Sequence, residues 1–150
     1  MAVNMVTDRD NGYRNYIRRM RQASVKIDVG VLRPVATMPH PSGRGMTLGT
    51  LAAIHEEGRG VPKRAFASEY WRSREAAIDR LTKKAAQRIH EGTSVKTSYN
   101  ALGRALVDGM RLNMSMVGPP LARSTVSAKG SSTRLQDTGA LQRAIGYRID

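Results

Sequence analysis

The sequence predicts an α+β fold, and three observations carry that reading. Two long stretches, 68–91 and 98–117, place their apolar residues at helical spacing. Residues 25–31 alternate apolar and polar side chains with period two, as a strand with one buried face does. The last residues repeat this alternation at Ile145, Tyr147 and Ile149, and that strand needs a partner, for which 25–31 is the natural one. At 150 residues the chain has the length of a single domain, 1–150. A domain of that size buries about two-thirds of its unfolded surface without metal or disulfide help.

From the N-terminus, residues 1–24 read as a basic amphipathic helix. Tyr13, Tyr16, Ile17 and Met20 fall on one side and Arg14, Arg18 and Arg21 on the other, with Asp8 or Asp10 available as a cap. After the strand, residues 33–47 carry three prolines and two glycines and read as a loop or projecting arm. Thr47 is expected to cap a short helix through LGTLAAIHEEG, with Leu48, Leu51, Ala52 and His55 on one side and Gly58 as its stop. VPKRAF then forms an extended connector, because Pro62 fixes its own φ and keeps Val61 out of the helical region.

The first long helix, 68–91, aligns Trp71, Ile78, Leu81, Ala85 and Ile89 on one stripe, and Gly92 closes it. The second, 98–117, aligns Leu102, Leu106, Met110, Met114 and Val117. Gly103 and Gly109 lie inside it, each costing about 1 kcal/mol relative to alanine, so a neighbouring backbone is expected to approach closely there. Gly118-Pro119-Pro120 ends this helix and opens a second loop or arm, 118–134, rich in Ser, Thr and Lys. Asp137 or Thr138 is expected to cap a helical turn through GALQRA, before 143–150 closes the sheet as a strand.

The composition narrows the chemistry. Lys and Arg number 25 against 12 Asp and Glu, a balance that attracts polyanions. Arg14, Arg18, Arg19 and Arg21 are the candidate contacts to nucleic acid or to an acidic partner, against the plainer reading of a solvated surface. Cysteine is absent, which excludes disulfides, thiolate nucleophiles, iron–sulfur clusters and cysteine-based zinc sites. With one Trp, one Phe and five Tyr, a surface that stacks single-stranded bases is not expected. No apolar run approaches the roughly 20 residues that span a bilayer, so a soluble protein is expected.

No catalytic constellation emerges, and no cofactor or metal ligands are expected. GRGMTLGT lacks the Gly-Lys-Ser/Thr ending of a phosphate-binding loop. IHEEG resembles half of a zinc-protease helix motif, but the second histidine would fall on Arg59. Glu56 and Glu57 are adjacent and so point about 100° apart on a helix. Glu75 and Asp79 lie on an exposed basic face, where Asp79 has Lys83 within one turn.

Three stretches, taken in order, carry a resemblance. TLGTLAAIHEEG supplies His55, Glu56 and Gly58; VPKRAF supplies Pro62, Arg64 and Phe66. GPPLARSTVSAKGSSTRLQDTGALQRAIGYRI supplies Pro119, Pro120, Leu121, Thr125, Lys129, Gly130, Leu135, Asp137, Thr138, Gly139 and Leu141. Together these resemble the tail-completion and neck proteins of tailed bacteriophages, over residues 47–150. Ala65 departs from the usual pattern by replacing a second proline, and Glu57 by replacing an aromatic residue. The resemblance implies a small antiparallel β-sheet flanked by an N-terminal helix and two longer helices, with extended arms. It further implies a structural virion protein at the head–tail junction, a tail-completion or tail-terminator ring through which DNA passes. Such a homo-oligomer would be six-fold foremost, with twelve-fold the alternative. It would contact the head connector or adaptor, the tail tube or other neck proteins, and genomic DNA in its lumen, but no membrane. It would reside in the virion after assembly in the bacterial host cytoplasm. The alternative from another class is a basic nucleic-acid-binding module built on the arginine helix.

Overall fold

The computed structural model describes residues 12–41, 45–130 and 139–150. Among these, helix α1 spans Tyr13–Gln22, strand β1 Ile27–Val31 and helix α2 Leu48–Glu57. Helices α3 (Phe66–Ser73), α4 (Glu75–His90) and α5 (Val95–Met116) follow, then α6 (Arg123–Lys129), α7 (Ala140–Ala144) and strand β2 (Ile145–Ile149). The fold is α+β, with β1 and β2 paired antiparallel and packed against helices.

Helix α5 is the axis of the molecule. Its predicted stripe of Leu102, Leu106, Met110, Met114 and Val117 is buried throughout, and Gly103, Val107 and Asn113 widen the buried arc. The sheet lies on one flank of this arc and α3 and α4 on another. Ile27, Val29 and Val31 of β1 face inward beside Ile145 and Tyr147 of β2, with Val29 opposite Tyr147 and Gly30 opposite Gly146. Asp28 and Arg148 are therefore on the outer face, where they pair at 2.8 Å. The main cluster gathers Phe66, Tyr70, Val107, Met110, Met114, Leu141 and Ile145, drawing residues from α3, α5, α7 and β2 into one core.

The glycines in α5 have a direct structural reason. A methyl group at Gly103 would overlap the ring of Tyr147, and one at Gly109 would overlap the phenol of Tyr70. The close neighbours are thus aromatic side chains, where the sequence led to the expectation of a backbone. Helix α5 also begins at Val95 rather than near residue 98, because Ser94 caps it, its side chain accepting from Thr97 N at 3.1 Å.

Other expectations are corrected. The helix expected over 68–91 is two, broken at Arg74, whose φ of −115° and ψ of 13° leave the helical region. The break redirects the chain, so that Phe66 and Tyr70 pack on the C-terminal half of α5 while Ala85 joins Leu102 and Leu106 in a second cluster. Tyr70 consequently occupies the buried position and Trp71, expected there, is 38% exposed. The arm expected over 118–134 contains α6, ended by Gly130. The arm expected over 33–47 is pinned at its base by a 3-10 turn at Val35–Thr37, by the Pro39–Thr47 bridge and by His40 N donating to Met46 O at 2.8 Å. Helix α1 is preceded by Gly12 without a side-chain cap; Asp8 and Asp10 lie outside the described residues. Strand β1 starts at Ile27 and β2 at Ile145, each two residues inside the expected range.

Candidate functional site

Two regions collect the residues singled out by the sequence. The first is a corner where α2, the connector 58–65, the start of α3 and the end of α5 meet. Thr47 caps α2 by accepting from Thr50 N at 3.1 Å, and the chain turns out of α2 at Gly58, whose φ of +77° is left-handed. Lys63 packs so close to Gly58 that a Cβ there would lie 2.8 Å from the lysine's own. Arg64 N then donates back to His55 O at 2.8 Å, closing the corner.

Helix α3 has no cap of its own, since Ala65 precedes it. Glu56 supplies one from the preceding helix. Its carboxylate accepts from Ala67 N at 3.1 Å and from Ser68 N at 2.8 Å, and Ser68 Oγ also donates to it. The first N–H groups of a helix lack intrahelical partners and carry its positive dipole end, so an anion there is stabilised twice over.

Arg64 is buried and crosses to the end of α5, its Nη2 donating to Pro119 O at 3.4 Å. Gly118, at φ +76°, lets it pass: a Cβ there would sit 2.7 Å from Arg64 Cγ. Phe66 is buried, its carbonyl accepting from Asn113 Nδ2 at 2.9 Å, and Leu141 shares its core cluster. His55, Glu56, Gly58, Arg64, Phe66 and Pro119 are therefore brought into one construction, although 52 residues lie between Phe66 and Pro119 in sequence. Pro62 and Pro120 are exposed beside it. Gly139 stands at the N-cap position of α7; Leu135, Asp137 and Thr138, with the expected cap, lie outside the described residues.

The second region is α1. Arg14, Arg18 and Arg21 are exposed and line a recess of about 470 Å³ together with Tyr13, Ile17 and Gln22. The opposite side of the helix docks on α4. Tyr16 meets the His90 ring edge-on at 5.3 Å, Met20 and Ala23 face Ala86 and Ile89 across a 300 Å³ crevice, and Tyr99 Oη donates to Ala23 O. Arg19 turns toward Gly92 at this junction rather than outward with the other three.

Carboxylates are engaged in surface ion pairs. Asp79 pairs with Lys83 at 2.7 Å, Glu57 with Arg59, and Asp28 with both Lys26 and Arg148 at 2.8 Å. The hydrogen bond from Lys26, reinforced by Arg148, holds the Asp28 carboxyl below its ordinary value against a smaller opposing effect of burial. Burial pushes the Tyr70 phenol up. Among the described residues no group of three or more His, Asp or Glu is placed to hold a metal, and no helix is long and apolar enough to cross a membrane.

Two side chains that organise the molecule escaped the sequence reading. Asn113 sits on the buried arc of α5 between Met110 and Met114, so an amide within an apolar stripe was its signal. Arg111 donates from Nε to Gln142 O at 3.1 Å and from Nη2 to Ile145 O at 2.8 Å. It thereby holds the last carbonyls of α7 where that helix becomes β2, and no local pattern announces this.

Comparison of the chain with known protein families, with curated proteins and with solved structures finds no match.

Proposed function

We infer that the chain is a structural virion protein of a tailed bacteriophage, a subunit of a ring at the head–tail junction in a tail-completion or tail-terminator role. The observation that carries this reading is the corner. Of the residues that resemble the neck-protein pattern, Glu56, Gly58, Arg64, Phe66 and Pro119 converge there in capping, turning or packing roles. Glu56 caps α3, Arg64 bridges to Pro119, Gly118 makes room, and Phe66 fills the core. A cluster of pattern residues that act as fold determinants is the kind expected of an assembly subunit, and a catalytic pattern would instead converge on an open pocket.

The outer side of α5 supports the same reading. Leu112 is 61% exposed and Met116 is 48% exposed one turn later. Exposed apolar pairs beside a packed helical interface suit subunit contact. On this reading the subunits form a homo-oligomeric ring, six-fold foremost and twelve-fold the alternative, between the head connector and the tail tube. The ring has no catalytic group or cofactor, sits in the virion and is assembled in the bacterial cytoplasm.

The test is addition. Purified protein is mixed with connector-bearing heads or with tails and imaged by negative-stain microscopy. Added density at the head–tail junction is expected. A protein that stays monomeric and adds to neither particle contradicts the reading.

A further inference from the structure

The positive charge of the chain is concentrated at one end. Residues 12–28 and 79–96 hold ten Lys and Arg against three Asp and Glu, seven of the thirteen net positive charges. The docking of α1 on the C-terminal half of α4 brings these two segments together in space. From Gly12 to Ile27 there is no carboxylate at all. The ion pairs found among the described residues engage Lys26 and Lys83 but not Arg18, Arg21, Arg80 or Lys84.

We propose that this α1–α4 end is a nucleic-acid contact surface that takes the phosphate backbone of duplex DNA without reading its bases. Arg14, Arg18 and Arg21 recur at intervals of four and three residues, so they form one stripe about 10 Å long. Duplex DNA offers a phosphate every 3.4 Å or so along each strand, so the stripe spans about three of them. Arg80 and Lys84 form a second exposed stripe on α4, one turn apart. Guanidinium groups suit phosphate geometry, and a surface of one charge sign concentrates a polyanion.

The geometry disfavours a lipid surface. An interfacial helix must bury its apolar side in lipid, whereas Tyr16 and Met20 of α1 face α4, which leaves Tyr13 and Ile17 beside the arginines. Backbone contact is favoured over single-strand stacking because Tyr13 alone supplies an exposed aromatic ring in α1. The inference does not depend on ring assembly, since the surface is complete within one chain.

The test is fluorescence anisotropy with a labelled random-sequence DNA duplex over a series of salt concentrations. Five contacts at α1 and α4 give a log–log slope of about −4 to −5. Arg18→Glu/Arg21→Glu is expected to reduce the slope by about 2 and to weaken binding at least about tenfold at low salt. Arg80→Glu/Lys84→Glu, which leaves α1 intact, is expected to do the same. Lys63→Glu/Arg123→Glu makes the same change in net charge near the opposite end of α5, about 30 Å away, and is expected to retain the wild-type slope. Circular dichroism checks that each variant stays folded. Equal losses in all three variants would show a diffuse field and overturn the proposal. So would binding to polyglutamate or to phosphatidylserine vesicles without binding to DNA, or no DNA binding at low salt.

Discussion

Gly103→Ala distinguishes a helix governed by propensity from one governed by packing, because the two give opposite signs. Alanine in the middle of a helix is favoured over glycine by about 1 kcal/mol, which in a chain of this length would raise Tm by about 2–4 °C. The structure reverses this. A Cβ at Gly103 would lie 2.6 Å from Cγ and 2.7 Å from Cε2 of Tyr147. The ring has little freedom to withdraw, since its hydroxyl donates to Asn100 Oδ1 at 2.9 Å and its backbone pairs with Val29 across the sheet. Overpacking costs about 1–3 kcal/mol, and a ring held at both ends belongs near 3. Subtracting the propensity gain leaves a net loss of about 2 kcal/mol, or a fall in Tm of about 4–8 °C by scanning calorimetry. In a Tyr147→Leu background the same substitution should become stabilising by about 1 kcal/mol, a coupling of about 3 kcal/mol between the two sites. A wild-type chain that gains stability with Gly103→Ala would refute the close approach of β2 to α5.

Three further outcomes follow from particular contacts. Glu56→Ala should cost about 2 kcal/mol and Glu56→Gln about 1, read from urea midpoints at unchanged m, because the cap of α3 is lost or loses its charge; an Ala variant within about 0.5 kcal/mol of wild type would remove the capping role. Ser98 is 1% exposed and its hydroxyl has no hydrogen-bond partner among the described residues, so Ser98→Ala should stabilise by about 1 kcal/mol, with a higher Tm as the readout; a loss would mean that the hydroxyl is satisfied. Asp28 has its folded pKa lowered, so its contribution is full above the unfolded value and disappears as pH falls through the folded one, below about pH 4; Asp28→Asn should therefore flatten the acid limb of Tm against pH, and an unchanged limb would exclude the Lys26 and Arg148 contacts as its cause.

Much of this fold was legible because local signals agreed with the tertiary outcome. Thr47 and Gly58 bound α2 in sequence and in space, and the period-two residues of 27–31 and 145–149 pair as read. The break at Arg74 was not legible, since neither glycine nor proline marks it. It accompanies the seating of Tyr70 against Gly109, a tertiary contact that no local pattern announces. Helix α6 was hidden by Ser and Thr, which favour turns as readily as short helices. At the corner the sequence picked out the right residues but not what each does there. Glu56 stood as an acid beside a histidine, and its partners lie 11 and 12 residues away. Arg111 grips carbonyls 31 and 34 residues downstream, and such contacts have no period to betray them.

Native mass spectrometry of the full chain over a concentration series tests the assembly reading most directly. A closed oligomer of one fixed stoichiometry is expected, six subunits foremost, which Leu112→Asp/Met116→Asp dissociates while the monomer stays folded. A folded wild-type protein that remains monomeric at every concentration, alone and in the presence of connectors or tails, would contradict it.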